Sequence, residues 1–167
     1  MIILKRGAMK KLLLGLLCAM FCFTAAAQTP ATIMPGFKFY TDKNVGFTKA
    51  DIPSGRPNLI IFFDGTCTHC QTTMSMISKR SKELQHVNIY LISLDEFRTM
   101  NYFLEHYGKP FLGMKNVKLL QDKDRIFIPL FKPIKYPAMF VYSADKRLQI
   151  YSSDEHDIPK IMSLLKI

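Results

Sequence analysis

The sequence predicts an α/β fold, and three observations carry that prediction. Two continuous apolar runs, Asn58-Leu59-Ile60-Ile61-Phe62-Phe63 and residues 87–93, lack polar alternation, as strands covered on both faces of a parallel or mixed sheet do. Each run is followed by a stretch with apolar residues at helical spacing. Near the end, Ala138-Met139-Phe140-Val141-Tyr142 and Leu148-Gln149-Ile150-Tyr151 flank the polar Ser143-Ala144-Asp145-Lys146-Arg147, which reads as a hairpin.

The chain opens with Lys5, Arg6, Lys10 and Lys11, an apolar stretch from 12 to 23, and Thr24-Ala25-Ala26-Ala27. These are the marks of a secretory signal peptide, with cleavage expected after Ala27 and a periplasmic destination. The apolar stretch is shorter than the about 20 residues of a membrane span, so an uncleaved anchor is the weaker alternative. Leu17 before Cys18 and Phe21 before Cys22 do not offer the small residue of a lipidation site. The expected organisation is a signal peptide over 1–27 and one domain over 28–167, whose 140 residues can bury a substantial core.

Residues 28–35 read as a polar, proline-containing lead-in, and 37–40 as a short peripheral strand. After the first apolar run, Cys70, Met74, Ile77 and Leu84 share one face, with Lys79, Arg80, Lys82 and Glu83 outward. That pattern predicts a single helix over 70–84, with Met74 and Met76 as core filler. Residues 87–93 form the next strand. Ser93-Leu94-Asp95-Glu96 has the spacing of a capping box opening a second helix with Phe97, Met100, Leu104 and Tyr107 inward, stopped by Gly108 and Pro110. Residues 117–120 predict a short strand and 122–131 an irregular or helical connection limited by Pro129. After the hairpin, Asp157 is placed to cap a closing helix with Pro159 in its first turn and Ile158, Ile161, Met162 and Leu165 inward.

The full chain carries a net charge of +10, and loss of four leader cations leaves +6. The basic residues are scattered from Lys38 to Lys166 and form no tract, which argues for a solvated surface and against nucleic-acid binding. Cys18 and Cys22 belong to the leader, so the mature chain keeps only Cys67 and Cys70. A structural disulfide framework is thereby excluded.

The remaining pair stands in Phe63-Asp64-Gly65-Thr66-Cys67-Thr68-His69-Cys70, where a strand gives way to a helix. Two sulfurs close a small ring when the first sits at the start of a helix and the second one turn inward. Unpaired N–H groups and the positive end of the helix dipole favour a thiolate at the first position. Cys67 is therefore the expected attacker and Cys70 the resolver. Asp64 is a candidate proton acceptor, or else a solvated turn residue. His69, as a cation or N–H donor near Cys67, would favour the thiolate and so the reduced form, making the disulfide a stronger oxidant. His86, His106 and His156 have no ligand-like spacing and read as surface residues.

A strand ending in Cys-x-x-Cys, a helix, a strand, a helix, then a hairpin opened by Tyr136-Pro137-Ala138 and a terminal helix resembles the thioredoxin fold over residues 37–167. The resemblance implies a central mixed β-sheet flanked by helices on both faces. It also implies a cis bond at Pro137 beside the cysteines, with the backbone of Tyr136 free to pair with a substrate strand. The long interval between the cysteines and Pro137, together with the leader, is similar to the exported TlpA and ResA branch of thiol-disulfide oxidoreductases. Three departures stand out. Gly65-Thr66 replaces the usual aromatic residue before the first cysteine, no buried acid lies among residues 59–63, and the histidine between the cysteines resembles the oxidising DsbA type.

The expected activity is exchange of electrons with protein disulfides, as a reductase or, run backward, an oxidase. The expected partners are exported proteins with thiols or disulfides and an upstream redox protein, with a membrane-bound one as an option. No cofactor is called for. A peroxidase of the peroxiredoxin type resembles Pro-x-x-x-Thr-x-x-Cys, and here Ile60 and Asp64 stand at the first two anchors. The alternative from another class is a copper- or zinc-binding module using Cys67, Cys70 and His69, which supplies only half of a four-ligand zinc set from its cysteines.

Overall fold

The computed structural model describes residues 29–166. The expected signal peptide, with Cys18 and Cys22, lies outside the described residues. Among the described residues no helix is long and apolar enough to cross a membrane.

In chain order the elements are β1 (Lys38–Tyr40), β2 (Gly46–Thr48), β3 (Asn58–Phe62), α1 (Thr68–Ser78), β4 (Asn88–Ser93), α2 (Phe97–Tyr107), β5 (Val117–Gln121), α3 (Phe127–Phe131), β6 (Ala138–Tyr142), β7 (Leu148–Ser152) and α4 (Ile158–Leu165). The strands form one seven-stranded sheet in the order β2-β1-β5-β4-β3-β6-β7. Its centre, β5-β4-β3, is parallel, while β6 and β7 on one side and β1 and β2 on the other run antiparallel. This is the mixed sheet of a thioredoxin-like α/β fold.

Period-two alternation divides each central strand between two cores. Leu59, Ile61 and Phe63 join α1, α2 and α4 in one cluster. Ile60 and Phe62 face a second, aromatic cluster that α3 and the lead-in residues Met34 and Phe37 complete. Phe127 stacks on Phe62 at 4.1 Å and on Phe131 at 4.3 Å, and Phe131 meets Phe140 edge-on at 5.8 Å. Both faces are thus covered, which explains why β3, β4 and β6 carry no exposed polar side.

Several local expectations are corrected. The helix expected over 70–84 breaks after Ser78, and a separate 3-10 turn, Ser81–Leu84, follows. Ser78 Oγ donates to the Tyr107 carbonyl at 3.1 Å, and the Arg80 guanidinium closes on Glu83 at 2.7 and 2.8 Å. These contacts hold a turn that returns Leu84 to the core, where it is fully buried. Of the two methionines expected as core filler, Met74 is buried and Met76 is exposed.

The capping box expected at Ser93 is absent. Glu96 is the N-cap of α2 and makes no side-chain cap, while Ser93 Oγ bonds Asp95. Asp157 is the N-cap of α4 as expected, but its side chain makes no cap bond and instead accepts from Ser152 Oγ at 2.6 Å. The lead-in is more than a polar tail: Met34 is fully buried and its N–H donates to the Lys146 carbonyl.

Candidate redox site

The chain leaves β3 through a turn built by its own side chains. Asp64 Oδ1 accepts from the Thr66 N–H at 2.7 Å and from Thr66 Oγ1 at 2.6 Å. The Cys67 N–H donates to the Asp64 carbonyl at 3.2 Å. An acid from the neighbouring strand end pins the same loop, because Asp95 Oδ2 accepts the Gly65 N–H at 2.8 Å. A side chain there would crowd the loop: a Cβ on residue 65 would lie 2.9 Å from Thr99 Cγ2 and 3.1 Å from that carboxylate oxygen, so these groups would have to shift.

This turn delivers Cys67 as the N-cap of α1, in extended conformation, with its carbonyl accepting from the Gln71 N–H. Cys67 is partly exposed and Cys70 is buried, and both are free thiols. Burial pushes the Cys70 thiol well above the ordinary thiol range. A backbone hydrogen bond with Asp64 opposes that shift, while a hydrogen bond to the Cys67 side chain and the negative charge of Asp64 add to it. Cys67 is thus the solvent-facing thiol and Cys70 the enclosed one, one helical turn inward.

The Tyr136–Pro137 bond is cis. Pro137 is buried and Tyr136 half-buried, its ring stacked on Phe62 at 5.0 Å. Burial, followed by the charges of Asp64, Asp95, Cys70 and Asp122, pushes the Tyr136 hydroxyl up to about 12. The expected substrate-side residues and the cysteines are thus brought together across the β3–β6 pairing, which sets Phe62 opposite Ala138. Beside them an apolar cavity of about 210 Å³ opens between Phe62, Ile128, Pro133, Ile134, Lys135 and Tyr136. A larger cleft of about 620 Å³, which includes Arg56, Asn88 and Lys115, lies at the other end of the parallel strands, away from the cysteines.

His69 turns outward. Its side chain is 74% exposed and Nδ1 lies 3.9 Å from Glu155 Oε1. Among the described residues no three His, Cys, Asp or Glu side chains gather as a metal ligand set. His106 and His156 are surface residues as expected, but His86 is half-buried and bonds the Leu165 carbonyl at 2.6 Å.

Sequence reasoning missed Gly65, Asp95 and Asp122. Asp95 stands inside the expected capping box without a role in it, and its partner Gly65 lies 30 residues away. Asp122 is buried and accepts the N–H groups of Ile126 and Phe127 at 3.0 and 2.8 Å, capping α3 beneath Tyr136. The aspartate before an apolar segment was the available signal for that cap.

The AhpC/TSA family model matches residues 30–150. Among solved structures, a secreted disulfide oxidoreductase of Mycobacterium tuberculosis is similar at 20% identity and a TM-score of 0.61, covering 77% of this chain and 96% of that one. A thiol-disulfide oxidoreductase from Bacteroides fragilis is similar at 16% identity and a TM-score of 0.63, covering 80% and 99%. The thioredoxin domain of a thiol-disulfide oxidoreductase from Bacteroides vulgatus is similar at 14% identity and a TM-score of 0.63, covering 83% and 99%. No curated protein matches the sequence. By the family model and the fold together, this chain belongs to the AhpC/TSA family, a thioredoxin-like family of the thiol-disulfide oxidoreductase class.

Proposed function

We propose that this chain is an exported oxidoreductase that reduces disulfides of client proteins through Cys67 and Cys70. The observation that carries the reading is the unequal setting of two free thiols, Cys67 partly exposed at a helix N-terminus and Cys70 buried behind it. Only the outer sulfur can meet a client, and only the inner one is placed to displace it.

Cys67 thiolate attacks a client disulfide, forming a mixed disulfide and releasing the client's other sulfur as a thiolate. Cys70 then gives its proton to Asp64 or water and attacks the Cys67 sulfur. The Cys67–Cys70 disulfide forms as the second client sulfur leaves. Two electrons pass to the client, and an upstream dithiol, soluble or membrane-bound, restores the pair. The thiol of Cys70 is held protonated by burial until this step, and the Asp64 charge already acts on it.

The client is proposed to dock as an extended segment along Tyr136 and Pro137. Ile134, which is 69% exposed, and Ile128 offer an apolar wall for a neighbouring client side chain. The leader-like residues 1–27 and the secreted M. tuberculosis neighbour support export.

Separate Cys67→Ala and Cys70→Ala variants test the roles. Cys67→Ala should abolish insulin reduction, and Cys70→Ala should accumulate mixed disulfides with exported proteins. A Cys67→Ala protein with full turnover, or a Cys70→Ala protein that traps nothing while the parent is active, would refute the assignment.

A further inference from the structure

At the end of the sheet opposite the cysteines, β3, β4 and β5 begin around the polar cleft of about 620 Å³. Three segments build it: residues 53–56 before β3, Gln85 and Asn88 at the entry to β4, and residues 113–116 before β5. Its volume is that of clefts that hold small ligands.

Two asparagines give the cleft acceptor oxygens whose orientation the fold fixes. Asn88 lines the cleft although it is only 4% exposed. Its Nδ2 donates to the Pro53 carbonyl at 3.1 Å and to Asn58 Oδ1 at 3.0 Å. Asn58 Nδ2 in turn donates to the carbonyls of Arg56 and Ser143, so reversing either amide would set oxygen against oxygen. Asn116 is locked in the same way, with Nδ2 on the carbonyls of Leu84 at 2.8 Å and Val87 at 2.6 Å. Neither Oδ1 accepts a hydrogen bond among the described residues. The Asn88 oxygen is not sealed in the core, because Thr73 Oγ1 is the one fully enclosed side-chain polar atom there without a partner. It is therefore reached from solvent, through the cleft that Asn88 lines.

The rim has the opposite character. Arg56 and Lys115 are exposed and make no ion pair among the described residues, and no Asp or Glu lines the cleft. Asp51 and Glu83, the acids closest in sequence to the first two segments, are held by Thr48 and by Arg80 with Lys166. On the third segment, which turns at Gly113 with φ +85°, the N–H groups of Gly113, Lys115 and Asn116 donate to no acceptor among the described residues. Free backbone N–H groups beside two cations suit an oxyanion. Gln85, also at the cleft, offers a donor and an acceptor together, which a hydroxyl group matches.

We propose that this cleft binds a small hydroxylated anion, a sugar phosphate or sugar acid. Arg56, Lys115 and the 113–116 N–H groups take the phosphate or carboxylate, and the oxygens of Asn88 and Asn116 accept from its hydroxyls. A bare anion would meet only the first set and a neutral sugar only the second. The site is independent of what the cysteines do.

The test is a titration of the protein, followed by amide NMR shifts, with glucose 6-phosphate, glucuronate, glucose and inorganic phosphate. At least one charged sugar should bind saturably, moving the signals of residues 113–116 and the side-chain amides of Asn88 and Asn116. Tighter binding of glucose 6-phosphate identifies a phosphate ligand, and tighter binding of glucuronate a carboxylate. Glucose and inorganic phosphate should each bind at least about tenfold more weakly, since each lacks the partners of one set. Arg56→Gln and Lys115→Gln, both on exposed side chains, should each weaken the charged sugar about 3- to 10-fold. Saturable binding by neither charged sugar, inorganic phosphate binding as tightly as the charged sugars, or affinity unchanged in both variants overturns the proposal.

Discussion

Asp64 and Asp95 both hold the cysteine loop, one from within it and one from the end of β4, and do different work. Asp64 spends Oδ1 on Thr66 and bears on Cys70 electrostatically, whereas Asp95 Oδ2 holds Gly65 and Ser93. Asp64→Asn should slow resolution of the mixed disulfide about tenfold, because water can partly replace a half-exposed proton acceptor. Rapid-quench trapping of the intermediate measures this. Gly65→Ala should instead destabilise the fold by about 1–2 kcal/mol, as the added Cβ displaces the carboxylate from the Gly65 N–H. Urea denaturation of the reduced protein reads that cost.

The Cys70 thiol adds a pH dependence whose sign follows from its shift. Its titration point is raised on folding, so the folded protein keeps a proton that the unfolded chain loses above about pH 8.5. Stability of the reduced form should be intact below that pH and fall as pH rises from there through the folded value. The oxidised form lacks the group, so the denaturation midpoint of the reduced form should fall relative to that of the oxidised form between about pH 8.5 and 10.

Elements with a strong apolar pattern were legible from sequence alone, among them β3, β4, the β6–β7 hairpin, α2 and α4. Their burial follows directly from side-chain chemistry and period. Elements defined by turn chemistry were not. β2 was missed because a three-residue strand carries too short a pattern. Its signal lay in the turn, where Asn44 adopts a left-handed conformation and its N–H bonds the Thr41 carbonyl. Cap bonds failed for a related reason: Ser93 bonds Asp95 in place of the helix start, and Asp157, though it holds the N-cap position of α4, gives its carboxylate to Ser152. α3, at five residues, depends on Asp122 to receive the N–H groups of its first turn. Asp122→Ala should cost about 2 kcal/mol in chemical denaturation and loosen the packing under Tyr136, while Asp122→Asn should recover part of it.

At the scale of the molecule, the sheet is a shared wall between an aliphatic, helix-covered core and an aromatic one. The second core gathers Phe39, Phe62, Phe127, Phe131, Phe140 and Tyr142 from four elements and connects to the site through the Phe62–Tyr136 stack. Phe131→Ala should cost about 3–5 kcal/mol, because the ring contacts Phe37, Phe39, Phe127, Phe140 and Tyr142 and the surrounding strands cannot collapse into the gap. Thermal unfolding measures it. The chain's own residue order determined the alternation of buried strands and helices, the cysteine pair at a strand-to-helix junction, and through resemblance the fold and the place of Pro137. Those features depend on local pattern, which a sequence displays directly. Only the tertiary structure decided that Asp95 pins the cysteine loop and that His69 faces Glu155. Each of those contacts joins residues dozens of positions apart, and which carboxylate meets which N–H or imidazole depends on how packed elements are set against one another, a relation no short window of sequence contains.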